Sequence, residues 1–506
     1  MNPTAEPSSD PATTRADRPV VLTLATDPAH PAVSFEATIR HPAQFAAALS
    51  AFWRVVAADP PWTRSSLGPG SDRIAQNPDL RPPPPLIRPI VTVAGDAWII
   101  EGFARDQSAY ARISVGRGDF SAERNVRTGT TNVRIPPTFN DSLTSIRGGV
   151  ESGIRLGEVD SARLERDDWP VGWLGGFLGL QAAMSLPMRR VAIDRGGLFG
   201  LISTLGGARR VRASRSIVVS WEPGQAATAV VRPEVGPIRL HPGVIEGGTR
   251  GSVRVAVGRH LADLAGLLPW VDSADLFLLG PGLPSCWSVR LRGIRLVLGL
   301  PSWTSDGRLG RLSLDPVEPP VEPARFLANQ VVATFRNHPA QMREQVVERT
   351  RGSVAEVAAV LTRLAGLGHV LPEPESGLFR WRPAFDASVS PLDDPESAEA
   401  TAARAITRTS SVRITRDEVR PDGRGRRVEA LILDRPVTID LDPDGWLQRG
   451  RCTCSHHRAD GLNHGGPCRH LLALQAQATP PPRPGPHDLA TWFARCEGVR
   501  SEGSGA

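Results

Sequence analysis

The sequence predicts an α+β protein in three parts: a large mixed antiparallel-sheet domain over residues 32–316, a helical module closed by a hairpin over 325–386, and a metal-binding module over 406–478. Three observations predict it. Short alternating apolar runs bounded by turn residues recur through the first 300 residues, interrupted by single amphipathic helices, which is the pattern of mixed sheet and helix rather than of a bundle. The proline-rich run PVEPPVEP, around a linker at 317–324, separates that region from the helical module after it. Finally, Cys452, Cys454, Cys468 and His470 stand in a Cys-x-Cys…Cys-x-His pattern just before an apolar helical run.

Composition narrows the functional classes. All 59 basic residues of the 506-residue chain are arginines, and no lysine occurs. A phosphate-binding P-loop, a pyridoxal phosphate enzyme and a protein kinase each need a lysine, so all three are excluded. With a single tyrosine and four methionines, the bias is that of a GC-rich genome. The pI near 9.8 reflects it and is no argument for a nucleic-acid partner.

Residues 1–31 are rich in Pro, Ser, Thr and Ala and read as a disordered tail. They lack the basic and apolar regions of a secretory signal, and five cysteines fit a reducing cytoplasm. Val33, Phe35, Ala37 and Ile39 alternate as in a strand. A helix entered through Pro42 then places Phe45, Leu49, Phe52, Trp53 and Val56 on one side. The Pro-rich segment 60–86 reads as a long loop. Beyond it Ile87–Ala94, Ala97–Phe103 and Tyr110–Val115, with turns at Gly95-Asp96 and Arg105-Asp106-Gln107, read as a meander. Helices are expected at Phe139–Arg147 and Pro170–Met184, with a strand between them. On the second, Trp173, Phe177, Leu180 and Met184 recur at helical spacing. No HExxH, GxSxG or GxGxxG motif occurs. The polar clusters Thr128–Asn132 and Trp303–Gly307 read as turns.

The module at 325–386 has the order helix, helix, helix, strand, turn, strand. Ser353 and Glu356 form a capping box, and Val357, Val360, Leu361, Leu364 and Leu367 form one apolar face. The whole resembles a winged helix, a fold often used to read DNA. Its candidate reading helix exposes Glu356, Ala359, Thr362 and Arg363, and its hairpin tip carries Glu373 and Glu375, which would repel phosphates. Arg380 and Arg382 are the cations placed to reach a phosphate backbone.

Residues 387–405 form an acidic and polar linker. Arg404 to Arg427 is the densest basic stretch, leading into strands at Val428–Leu433 and Val437–Leu441. Asp440–Gly445 imitates the start of a calcium loop, but Arg451 stands where the bidentate glutamate is required. Three soft thiolates and one imidazole from Cys452, Cys454, Cys468 and His470 suit a closed tetrahedral Zn²⁺ site. Such a site is structural, because no position is left for water. Residues two apart on a helix do not face each other, so Cys468 must precede the helix and His470 lie in its first turn. His456, His457 and His464 are competing donors. Residues 479–506 form a Pro-rich disordered tail with a helical turn around Leu489–Phe493.

From Val412 to Ala478, and most clearly from Cys452 to Leu474, the chain resembles the SWIM zinc finger family, with its CxC…CxH ligands followed by the short helix HLLALQAQ. The resemblance implies one structural zinc ion and a role in protein–protein contact or DNA binding. Bacterial proteins of similar layout are often encoded beside MoxR-type AAA+ ATPases and von Willebrand A-domain proteins, which the resemblance offers as partners. The expected function is therefore a cytoplasmic, non-enzymatic zinc-binding adaptor. The rivals are a DNA binder using the finger, its arginine-rich flank and the winged helix, and an enzyme hidden in the large domain.

Overall fold

The computed structural model describes residues 20–26, 33–57, 88–104, 109–135, 139–146, 152–157, 173–208, 216–231, 236–243, 250–257, 260–279, 284–300, 325–384, 398–409, 411–420, 426–441, 447–455, 457 and 468–478. The expected loop 60–86, the linker 317–324, the cluster Trp303–Gly307, Cys496, the calcium-loop imitation beyond Leu441 and the tail 479–506 lie outside them.

The first part opens with β1 (Val20–Thr26), β2 (Ser34–Ile39), α1 (Pro42–Val56), β3 (Ile90–Val93), β4 (Ala97–Phe103) and β5 (Tyr110–Gly116). It continues through β6 (Phe120–Arg127), β7 (Gly129–Arg134), α2 (Phe139–Ser145), β8 (Ser152–Gly157), α3 (Trp173–Met184), β9 (Arg189–Ile193) and α4 (Arg195–Ala208). Then come β10 (Ser216–Trp221), β11 (Thr228–Val230), β12 (Ile238–Arg239), β13 (Gly251–Ala256), a 3-10 segment (His260–Trp270), β14 (Ser273–Leu278), β15 (Ser285–Leu291) and β16 (Ile294–Leu300). Twelve strands make one sheet in the order β6-β2-β8-β1-β7-β3-β4-β5-β16-β15-β14-β9, and β12-β11-β10-β13 make a second.

Both faces of the large sheet are covered at its centre, which is why every residue of β4 is buried. Trp98 and Ile100 of β4 and Ala111, Ile113 and Val115 of β5 point into the principal core with Phe45, Leu49, Phe52 and Val56 of α1. Their neighbours Phe103 and Tyr110 face the other way, against Phe177, Leu180 and Met184 of α3. The β15–β16 connection is a two-residue turn in which Gly293 adopts φ +63°, and a side chain there would also meet the Asp119 carboxylate. Gly293→Ala should therefore lower stability by about 1–2 kcal/mol, read as a drop in the urea midpoint at unchanged slope.

Three expectations need correction. Val20–Thr26, placed by composition in the disordered tail 1–31, forms β1. It pairs in parallel with β8, from Val20 opposite Ser152 to Ala25 opposite Gly157, and antiparallel with β7, so it joins two halves of the sheet. Leu22 and Leu24 are buried, and that alternation outweighs the polar composition around it. The cluster Thr128–Asn132 has the residues of a turn, yet Gly129–Asn132 belongs to β7 and runs antiparallel to β3. The linker expected at 387–405 contains the start of the helix Ala398–Arg408. One element carries no clear signal in the sequence: Arg195–Ala208 is helical despite its glycines, because Leu198, Leu201, Ile202 and Leu205 are buried on one side.

The second part runs α5 (Arg325–Asn337), β17 (Ala340–Met342), α6 (Arg343–Thr350), α7 (Val354–Gly366), β18 (Val370–Glu373) and β19 (Leu378–Trp381), with strand order β17-β19-β18. Ser353 caps α7: its hydroxyl accepts from the Glu356 amide at 3.2 Å, and the Glu356 carboxylate accepts from the Ser353 amide at 3.0 Å. Val331, Phe335, Val346, Val357, Leu361 and Val370 fill the core between these helices.

The third part comprises α8 (Ala398–Arg408), the antiparallel sheet of β20 (Val412–Val419), β21 (Arg426–Ile432), β22 (Arg435–Leu441) and β23 (Leu447–Cys452), and α9 (Arg469–Ala478). Strand β20 falls inside the basic stretch and has no apolar alternation to mark it. Among the described residues, no helix is long and apolar enough to cross a membrane.

Candidate metal centre

Each pair of donors is set by local backbone geometry. Cys452 ends β23 opposite Val437, facing the module's core. Cys454, two residues on, returns to the same side while Thr453 between them is exposed. Cys468 sits directly before α9, with its carbonyl accepting from the Leu472 amide at 3.1 Å. His470 is the second residue of the helix. Apolar packing brings the pairs together: α9 buries Leu471, Leu472 and Leu474 against Val428, Ile439 and the cysteines themselves.

One ligand atom from each of Cys452, Cys454, Cys468 and His470 lies within 4.8 Å of the others, and all four residues are buried. This Cys₃His group can hold a metal ion. Two features fit one. Nδ1 of His470 is buried without a hydrogen-bond partner among the described residues, an arrangement that is costly unless something else satisfies the nitrogen. One of the thiols is also prepared for deprotonation. Hydrogen bonding from Cys468, joined by the Cys454 amide, holds the Cys452 thiol well below its ordinary range. The Cys454 amide lies 3.5 Å from Cys452 Sγ, and the His457 amide lies 3.3 Å from Cys454 Sγ. Thus His457 gives its backbone to the group, while His456 and His464 lie outside the described residues.

The candidate DNA-reading residues are placed differently from expectation. Glu373 and Glu375 do not project from a free hairpin tip. Glu375 pairs with the fully buried Arg112 of β5, whose other nitrogen donates to the Pro372 carbonyl at 3.1 Å. Glu373 accepts from Arg380 at 2.8 Å, and Arg380 also grips Asp96 at 3.0 Å. Arg382 is fully buried 3.0 Å from the equally buried Glu101, which accepts from the Tyr110 hydroxyl at 2.9 Å. Arg380 and Arg382 are therefore committed to carboxylates, two of them on the large domain. The reading helix is covered as well: α7 packs on α3, and Thr362 shares a 2.8 Å hydroxyl contact with Ser185. Cys286, close by, has its thiol pushed up to about 12 by burial and by the charge of Glu375, which makes it an inert core residue.

In the arginine-rich flank, Arg416 pairs with Glu418, Arg426 with Asp417 and Arg427 with Asp440. The last two pairs cross between strands, so sequence proximity does not show them.

No protein-family model matches this chain, and no curated protein matches it either. Among solved structures it is similar to Proliferating Cellular Nuclear Antigen from Entamoeba histolytica, at 8% identity and TM-score 0.34, over 54% of this chain and 100% of that one. It is also similar to A. fulgidus PCNA bound to the C-terminal region of FEN-1, at 12% identity and TM-score 0.33, over 54% and 98%. PCNA from Thermococcus kodakaraensis gives 11% identity and TM-score 0.32, over 53% and 100%. Likenesses this slight carry no argument about what the chain does.

Proposed function

We propose that this chain is a cytoplasmic, non-enzymatic adaptor whose C-terminal module is a SWIM-type finger held by one structural Zn²⁺. The observation that carries this reading is the convergence of Cys452, Cys454, Cys468 and His470 within 4.8 Å in a buried setting. Bound zinc would take its charge balance from thiolates, tie β23 to the start of α9, and leave no coordination position for chemistry on a substrate. The module at 325–384, in this reading, is a winged helix turned to structural use. Its helix α7 rests on α3, and its arginines pair with Glu101, Glu373 and Asp96, which speaks for protein contact over base reading. The resemblance to the SWIM family points to a MoxR-type AAA+ ATPase or a von Willebrand A-domain protein as the partner.

Metal analysis of protein purified under reducing conditions should return one zinc per chain, and Cys454→Ser should return none. A metal-free wild type would overturn the reading. Affinity purification from the native host, followed by mass spectrometry, names the partner. An electrophoretic mobility shift on duplex DNA at low salt tests the rival, and steeply salt-dependent binding would favour it.

A further inference from the structure

Strand β20 ends the sheet β20-β21-β22-β23, and seven of its eight residues are exposed. Its backbone direction follows from the next hairpin. Ile432 and Arg435 close the two-residue turn Leu433-Asp434, so Ile432 exchanges its backbone hydrogen bonds with β22, and by alternation Ala430, Val428 and Arg426 do the same. Their cross-strand neighbours on β20, Val412, Ile414, Asp417 and Val419, therefore turn their N–H and C=O groups to the open edge. An edge with such groups is a template for another chain. Thr415 is an extra residue in this strand: Ile414 lies opposite Ala430 and Arg416 opposite Glu429, and the Thr415 hydroxyl donates to the Glu429 carbonyl at 3.1 Å. The bulge brings Arg413, Arg416 and Glu418 onto one face, away from α9, and leaves Ile414 and the 72% exposed Val419 on the other.

We propose that β20 pairs antiparallel with β20 of a second copy of this chain, about a twofold axis at Arg416. Opposed pairs alternate between hydrogen-bonded and non-hydrogen-bonded types, so such an axis must pass through a residue facing itself. With Arg416 there and Thr415 set aside by the bulge, Val412 faces Val419, Ile414 faces Asp417, and Arg413 faces Glu418 of the second copy. Every edge-directed residue of the strand then finds a partner, and the exposed Val419 meets another valine. Arg413, which has no carboxylate partner among the described residues, gains one. The two Arg416 side chains do not meet as bare charges, because each has Glu418 at 2.7 Å and Glu429 opposite it in its own chain. Asp417 likewise keeps its own Arg426. Across β20, β21 and β22 on that face, Arg413, Arg416 and Arg427 balance Glu418, Glu429 and Asp440, so two copies meet without net repulsion. Neighbouring registers lack this match. An axis at Ile414 sets Arg413 against Arg416, and one at Asp417 sets Arg413 against Arg420 and Val412 against Pro421, which has no N–H to give. The inference goes beyond the adaptor reading, since pairing makes the adaptor bivalent.

The test is sedimentation velocity of the reduced full-length protein over about 1–100 μM, a range suited to the small interface of one strand pair. Wild type should pass from monomer to dimer as concentration rises. Arg413→Glu and Glu418→Arg should each weaken association by about tenfold or more, and the double substitution should restore it, because opposite charges face each other again. Ile414→Pro takes an N–H from the open edge and none from the ladder with β21, so it should abolish the dimer while zinc content and melting temperature hold. A wild type that stays monomeric would leave the edge to a different chain and overturn the proposal. Dimers indifferent to Arg413→Glu, or exchanged charges that fail to rescue, would overturn it too. Metal analysis of the same samples separates the two readings. Zinc-free protein that still dimerises sinks the zinc reading alone, whereas loaded protein that stays monomeric sinks only the strand pairing.

Discussion

Removing the metal ligands, by Cys468→Ser or by chelating the reduced full chain, is expected to unfold the C-terminal module and leave the large domain standing. The module's hydrophobic core is small, and Cys452, Cys454 and Cys468 are themselves part of it. Structural zinc contributes about 10–16 kcal/mol in comparable small modules, against a net stability of about 5–15 kcal/mol for a whole domain. Without the ion, α9 loses the anchor at its first turn, and three adjacent thiols and a buried imidazole are left to compete for protons. The large sheet has its own core, built on Trp98, Trp287 and Phe52, and no cluster of metal donors among its described residues. Hydrogen exchange should therefore show amides of α9, β21 and β22 going unprotected while those of β4 and β15 keep their protection. Slow exchange in α9 of the metal-free protein would show that packing alone holds the module and that the ion is not structural.

The metal group was legible because its chemistry is local: two pairs of donors one residue apart, each placed by a single strand end or helix start. Meander strands β3, β4 and β5 and the capped helix α7 were legible for the same reason, since alternation, turn pairs and the Ser353–Glu356 box act within a few residues. What escaped was set by contacts distant in the chain. Val20–Thr26 becomes a strand because β8, more than 120 residues later, supplies its partner. Gly129–Asn132 looks like a turn until β3 pairs with it. Most consequentially, Glu373 and Glu375 look like acidic groups at a free hairpin tip, and only the fold reveals Arg112 and Arg380 beside them.

That relocation changes what the module at 325–384 can do. A hairpin meant for a phosphate backbone must be free and net positive. This one pairs Arg380 with Glu373 within the module, and Arg380, Arg382 and Glu375 with Asp96, Glu101 and Arg112 across from it. Apolar contact reinforces the ionic one: Leu371 packs with Ala97 and Ile99, and Ala384 joins the cluster around Phe177. The arrangement fits a strut between the sheet and the segment that leads to the Cys₃His module. The buried charges define the docked position, because a shifted register would leave each of them without its counter-charge.

Arg382→Leu is accordingly expected to cost about 3–5 kcal/mol, far more than the loss of a surface ion pair. Arg382 and Glu101 have no exposed side-chain surface and lie 3.0 Å apart, and Arg382 also lies over the Phe177 ring at 5.7 Å. Deleting the cation leaves the buried Glu101 carboxylate without its closest ion-pair partner, with the Tyr110 hydroxyl as a hydrogen-bond donor and Arg112 as its cross-strand neighbour. Glu101→Leu should be similarly harmful, because it strands the guanidinium. The double substitution removes both charges, so its cost should fall well below the sum of the two, and the coupling is the signature of a buried pair. Urea unfolding followed by hydrogen exchange of the β18 and β19 amides reports the effect in the strands that carry the docked residues. Additive costs in that cycle, or an Arg382→Leu protein as stable as wild type, would mean that the pair is open to water and that the module moves freely on the sheet.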